Sequence, residues 1–306
     1  MDKIAVRYGI DIAKKVFAIR GVNAADKEVV SKVISRSKVL AYFADVPPAV
    51  IGIESCSGSH YWARELSKLG HEVRLINSRF VIPYRRKGKN DLNDAEAICE
   101  AVGRPGMRFV AHKSEEQQSI LMAHRIRSQC VASRTALINQ IHGHLLEFGV
   151  VVSKGRHKLR RDLHEVMGKD ALPPIVEELL HGLLIALAKT DENIEQLDSM
   201  IAGWVKQSVV ASRLLELDGV GPLTASAVAA TVGDPRVFKN GRQMAAWLGL
   251  VPRQHSSGGR NRLGGITKSG DRLRSRRPDN VVVVAYAAKQ ARIMWAVMMG
   301  EQRVAC

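Results

Sequence analysis

Near the start of the chain, Val6, Tyr8 and Ile10 are apolar and alternate with polar or small residues, and the β-branched Ile12 and Val16 follow. A two-residue period of this kind predicts strands, here two around a short turn over 3–21. Residues 36–45 suit a short helix. AVIGIE (49–54) is an apolar strand that ends in a carboxylate. SGSHYWARELSKLG (57–70) reads as a helix with a serine N-cap and a glycine stop, and HEVRLIN (71–77) as a further strand. A last helix is predicted over 91–102, beginning at a pair of aspartates. Elements in this order predict a mixed α/β sheet domain over 1–112.

The period then lengthens. Ile120, Leu121, Ile126, Leu137, Ile141, Leu145 and Phe148 recur at spacings near three, four and seven, and Ile175, Leu179, Leu183, Leu187, Ile194, Leu197, Ile201 and Trp204 repeat the pattern. Two long amphipathic helices, joined by the basic connector KGRHKLRRD (154–162), predict an α-helical coiled-coil arm over 113–208. Two ordinary helices of a bundle would give the same stripe. A mainly α C-terminal domain is expected over 209–306. In it, Gly219-Val220-Gly221 separates two apolar helical patterns, as in a helix-hairpin-helix turn. Glycines there let backbone N–H groups approach a phosphate beside a helix N-terminus. A polar loop is predicted over 252–277, with eight Arg or Lys residues against one Asp.

Charge adds a partner to this outline. The chain of 306 residues carries a formal net charge of +16, with a pI of about 10.0, on an ordinary globular balance of 46% hydrophobic and 25% charged residues. Such an excess of cations points to a polyanion, most simply nucleic acid. Cys56, Cys99, Cys130 and Cys306 are scattered and form no zinc pattern. The first residues lack signal-peptide anatomy, and the longest apolar run, near 281–288, is too short to span a bilayer. A cytoplasmic, nucleoid-associated protein without membrane contact is expected.

Four acids stand out against this basic background. Asp11 lies among strand hydrophobics, Glu54 ends the second apolar strand, and Asp91 and Asp94 share one face of a helix start. Taken singly, each has an ordinary reading: a turn residue, a strand-end surface charge, a pair of first-turn acids complementing the helix dipole. Taken together, they predict four carboxylates converging from three segments, an oxygen-rich set suited to Mg²⁺ or Mn²⁺ and to phosphoryl transfer. Lys87 and Lys89 then read as phosphate contacts beside the metal. In HSSGG (255–259), Ser256 and Ser257 precede paired glycines in a basic stretch. Arg253, Arg260, Arg262, Lys268 and Arg272 supply charge for DNA, and Gly219 and Gly221 supply backbone contacts. By its chemistry the loop reads either as a simple backbone contact or as the seat of a serine nucleophile.

A resemblance chooses between these. The segments GIDIAKKVF (9–17), IGIESCSGSHYWARELSKLGHEVRLI (51–76), KNDLNDAEAICEAV (89–102) and LDGVGPLTASAVAATVGDPRVFKNGRQMAAWLGLVPRQHSSGGRNRLGGITKSGD (217–271) carry it. The chain resembles the insertion-sequence transposases that join a RuvC-like acidic domain to a serine-bearing C-terminal domain. These are also described as bridge-RNA-guided serine recombinases and include the Piv-type invertases. The resemblance implies an RNase H/RuvC-like fold for the first domain and a metal-binding acidic tetrad at Asp11, Glu54, Asp91 and Asp94. It places a nucleophilic serine at Ser257, which would form a covalent phosphoserine with DNA. It also implies DNA partners (element ends and target), a structured guide RNA, and a dimer or tetramer in which the acids of one protomer meet the serine of another. The chain departs from the family pattern after SGDRLRS (269–275). That segment directly abuts RRPDNVVVVAYAAKQARIMWAVMMGE (276–301), where the family carries further helical sequence, so an internal deletion is expected. Two other outcomes follow from the same residues: a junction-resolvase-like metal nuclease in which water attacks, and a non-catalytic nucleic-acid-binding copy.

Overall fold

A computed structural model of the chain describes residues 4–85, 88, 90–153, 155–167, 172–257, 260–266 and 281–300. They divide into two compact units, one of residues 1–116 with 232–234 and the other of residues 117–231 with 235–306.

The first unit is built on a mixed sheet. Its elements are β1 (Arg7–Ile12), β2 (Val16–Val22), β3 (Glu28–Ser35), α1 (Val39–Ala44), β4 (Val50–Glu54), α2 (Ser59–Lys68), β5 (Glu72–Ile76), α3 (Ser78–Val81), α4 (Asp91–Val102) and the two-residue strand β6 (Phe109–Val110). The strand order is β3-β2-β1-β4-β5-β6. The β1–β2 and β2–β3 pairs are antiparallel, β1–β4 and β4–β5 are parallel, and β6 runs antiparallel to β5. Alternation along the strands sorts the side chains between faces. Tyr8, Ile10, Phe17, Ile19, Ile51 and Ile53 are buried in one cluster with Val39 and Phe43 of α1 and Trp62 and Leu66 of α2. Residues 9, 11, 52 and 54 therefore belong to the opposite face.

That opposite face is covered by α4. Gly9 and Gly52 are register partners on β1 and β4. A Cβ at residue 9 would collide with the Ala95 carbonyl oxygen and the Cys99 amide nitrogen, and one at residue 52 would lie 2.8 Å from Val102 Cβ. Two side-chain-free positions let the helix backbone rest directly on the sheet. Asn90 caps α4, its side chain accepting the Asn93 N–H at 2.8 Å. The bounds of α4 match the sequence expectation. In α2 the expected serine cap is replaced by Gly58, in the left-handed region at φ 89°, while Ser59 donates its hydroxyl to the Cys56 carbonyl. The expected glycine stop stands at Gly70, also at φ 89°.

The second unit contains the long helices α5 (Glu115–Glu147, which begins in the first unit) and α7 (Pro174–Gln207), with α6 (Arg156–Val166) between them. Arg127 pairs with Asp198, and Arg134 with Asp191. A seven-residue step forward along α5 matches a seven-residue step back along α7, so the two run antiparallel. The expected connector is in part a helix. Leu159 and Leu163 of α6 are fully buried against Ile141, Leu145, Leu180 and Leu187, which an i,i+4 pair facing a hairpin end permits. Next come α8 (Val209–Leu215), α9 (Pro222–Val232), α10 (Gly241–Trp247), the strands β7 (Pro252–Ser257) and β8 (Arg260–Ile266), and α11 (Val281–Met298). Residues expected to be loop thus form an antiparallel ribbon, with Ser257 opposite Arg260 and Ser256 opposite Asn261. Arg, Gln and His in its strands hide the alternation that marks most hairpins. Among the described residues, no helix is long and apolar enough to cross a membrane.

Candidate active site

The two glycine partners fix where the acids stand. Asp11 is two residues beyond Gly9 on β1, and Glu54 two beyond Gly52 on β4, so both share the face and end of the sheet where α4 begins. In the first turn of α4, Asp91 is exposed and Asp94 is buried, 8% accessible. Four like-charged groups from three segments therefore share one place. Asp11 registers it: its pKa is pushed up to about 6, chiefly by burial and then by the charges of Asp94, Asp91 and Glu54. The thiol of Cys56 is also pushed up, by burial and by Glu54 and Asp11.

One cation answers this charge from close by. Arg85 Nε lies 2.5 Å from Asp94 Oδ1. Both atoms are buried in ionic contact without an aligned hydrogen bond. The charge of Arg85 also acts on Asp11, opposing part of the upward shift. As the side chains stand, no three His, Cys, Asp or Glu among the described residues are gathered tightly enough to hold one ion. The donor set is nonetheless what a hard divalent cation takes: carboxylate oxygens only, one of them buried and without an aligned donor. Asp11, Glu54, Asp91 and Asp94 are the residues that would hold it.

The other expected site residues fall elsewhere. Ser257 ends β7, in the second unit, and its backbone pairs with Arg260. Arg262 is exposed on β8. Gly219, at φ 78°, lies in the turn between α8 and α9, and a Cβ at Gly221 would meet nothing within 4 Å, so the backbone there is open. Lys87, Lys89, Lys268 and Arg272 lie outside the described residues, as do the side chains of Arg253, Arg260 and Ser257 and the junction at 275–276. Two features escape the pattern reading. The paired tripeptides Gly-Ile-Asp (9–11) and Gly-Ile-Glu (52–54) announce the close approach of a helix beside each acid. Arg85 opens the basic run whose lysines drew attention, and it meets Asp94.

Comparison with known proteins finds two family models on the chain. A family model described as Transposase IS116/IS110/IS902 family matches residues 211–285, and a DEDD transposase model of the IS110 group matches residues 8–149. The chain is 44% identical over 328 residues to a Pseudomonas aeruginosa protein named "Probable family 20 transposase", covering 96% of this chain and 97% of the relative. It is 37% identical to a Yersinia enterocolitica "Transposase for insertion sequence element IS1328" (94% and 95% covered). It is 34% identical to a Coxiella burnetii "Transposase for insertion sequence element IS1111A" (97% and 91% covered). The 328 aligned positions with the first exceed the 306 residues of this chain, so that relative carries internal residues which this chain lacks.

Proposed function

The chain belongs to the IS116/IS110/IS902 transposase family, and on that premise we propose that it cuts and rejoins DNA strands at the ends of an insertion sequence. The observation that carries this reading is the meeting of Asp11, Glu54, Asp91 and Asp94 at one end of the sheet, felt as mutual repulsion at Asp11. The strand order, with β3, β2 and β1 antiparallel, β4 and β5 parallel to β1, and the short β6 antiparallel at the edge, supports an RNase H/RuvC-like assignment for residues 1–112.

Mg²⁺ or Mn²⁺ bound by the four carboxylates would polarise a phosphodiester and neutralise the charge that develops on its oxygens. The chain's own residues do the rest. The Ser257 hydroxyl attacks the phosphorus and displaces a sugar oxygen, leaving a phosphoserine and a free sugar hydroxyl. A hydroxyl of the partner strand then attacks the phosphoserine, re-forms a phosphodiester and releases the serine. Arg253, Arg260, Arg262, Lys268 and Arg272 hold backbone phosphates, Lys87 and Lys89 do so beside the acids, and the Gly219–Gly221 turn, a helix-hairpin-helix-like element, offers N–H groups. Residues 113–208 act as an arm in assembling a dimer or tetramer, in which the acids of one protomer serve the serine of another. The structured guide RNA belongs to the same reading and rests on the family resemblance.

A second reading has one observation in its favour: the acids and Ser257 lie in different units. In it, water attacks at the acidic cluster, as in junction resolvases, and the serine only positions DNA. Incubation with element-end DNA, candidate guide RNA and Mg²⁺ separates the two. A covalent protein–DNA adduct that disappears in Ser257→Ala is the expected result, and cleavage that survives Ser257→Ala overturns the covalent route. Salt-sensitive binding without cleavage in either protein would leave a nucleic-acid-binding remnant, shortened in its C-terminal region.

A further inference from the structure

Arg85 sits where a metal ion would be drawn. It leaves the single 3-10 turn at residues 82–84 with its backbone extended (φ −75°, ψ 106°), and its N–H donates to the Ile82 carbonyl at 3.1 Å. This fixes the start of its side chain beside α4. Its guanidinium lies against Asp94, a side chain only 11% accessible, while its own is 27% accessible.

The quality of the contact is informative when set against a structural pair of the same chemistry. Arg127 grips Asp198 with two donors, Nε at 2.5 Å from Oδ1 and Nη2 at 3.2 Å from Oδ2. Such a fork is directional and specific. Arg85 Nε lies close to Asp94 Oδ1 without an aligned hydrogen bond. Its attraction is that of a charge, not of a fitted hydrogen bond, and a second charge can replace it. The field of the guanidinium reaches Asp11 as well.

We propose that Arg85 is a resident counter-ion of the acidic cluster, occupying Asp94 in the metal-free protein and competing with a divalent cation for that carboxylate. This inference rests on the reading of the cluster as a metal site. Arg85 Nε lies 2.5 Å from Asp94 Oδ1, on the carboxylate oxygen that a cation would take. A divalent cation offers twice the charge to the same oxygen and releases Arg85. The freed guanidinium then lies at the head of the RRKGK run (85–89), where a nucleic-acid phosphate is its natural new partner. Metal occupancy and substrate binding are thereby linked through one side chain.

The test is Mn²⁺ binding to the full-length, metal-free protein without nucleic acid, followed by the loss of the free-ion electron paramagnetic resonance signal. Wild type, Arg85→Gln and Asp94→Asn are compared, with thermal melts to confirm folding. Arg85→Gln is expected to bind Mn²⁺ about tenfold more tightly than wild type, since a competing charge has been removed. Asp94→Asn is expected to bind more weakly than wild type. Equal or weaker binding by Arg85→Gln, with Asp94→Asn still impaired, overturns the counter-ion role and leaves the metal site standing. Failure of every protein to bind Mn²⁺ overturns both. If Arg85→Gln gives no cooperative melt, Arg85→Met keeps the aliphatic stem and is judged by the same outcomes.

Discussion

The two units use carboxylates in opposite ways. In the second, Asp191 and Asp198 of α7 each meet an arginine of α5: Asp191 pairs with Arg134 at 3.1 Å, and Asp198 is gripped twice by Arg127. In the first, the charges of Asp94, Asp91 and Glu54 raise the pKa of Asp11 at one end of the sheet, and Arg85 lies against Asp94. Paired charges lock one helix to another. Crowded like charges do not stabilise a fold, and a chain that tolerates them holds them for a partner that arrives from outside. On the proposed reading, the contrast is between acids that hold the fold and acids that hold a metal.

The strongest way to break this contrast is to remove an acid from each unit and follow chemistry. Asp11→Asn is expected to lower strand cleavage of element-end DNA in Mg²⁺ by about a thousandfold or more. Asp198→Asn, if folded, should cut at near wild-type rate. Next in size is the floor beneath the acids. Gly9→Ala drives a methyl group into the α4 backbone and should destabilise the protein by about 3 kcal/mol in denaturant unfolding. Gly221→Ala, where a Cβ meets nothing within 4 Å, should change stability by less than about 1 kcal/mol. Breaking a structural pair comes third. Asp191→Ala strands Arg134 and should cost about 2 kcal/mol by the same measurement, less than a fully buried pair because the arginine side chain is 24% accessible.

The smallest effect has the opposite sign. Asp11 titrates near 6 in the folded protein, above its ordinary 3.8, so the folded state holds the proton more tightly. The stability this confers is fully present below about pH 4 and is lost as pH rises through about 6. At pH 7 the ionised group is a burden, discounted because Asp11 is only half-buried. Asp11→Asn should therefore stabilise the metal-free protein by about 1 kcal/mol at pH 7 and by nothing measurable near pH 4. Thermal melts at the two pH values in chelator check both the size and the sign.

Much of the acid-bearing unit was legible because its signals are local and periodic. Alternation along 6–12 and the apolar run at 49–54 gave strands, and the pair of aspartates ahead of an apolar face gave the bounds of α4. The acids could be singled out because carboxylates at strand ends are unusual neighbours for Ile10 and Ile53. What that reading lacked was the third dimension. The roles of Gly9 and Gly52 appear only when β1 and β4 pair in parallel, and Arg85 matters only because the 3-10 turn sets it against α4. In the other unit, the apolar stripes of α5 and α7 were plain, whereas α6 was masked by its basic residues and β7–β8 by a composition that reads as loop. Charge conceals an element when only a few buried positions, such as Leu159 and Leu163, hold it in place.

The central claim is that Asp11, Glu54, Asp91 and Asp94 form one divalent-metal site. Anomalous X-ray diffraction from crystals of the protein grown in Mn²⁺ tests it most directly. The account predicts a manganese peak between the ends of β1 and β4 and the first turn of α4, lost in Asp11→Asn. A map from well-ordered crystals that shows manganese elsewhere, or none at these carboxylates in saturating Mn²⁺, would contradict it.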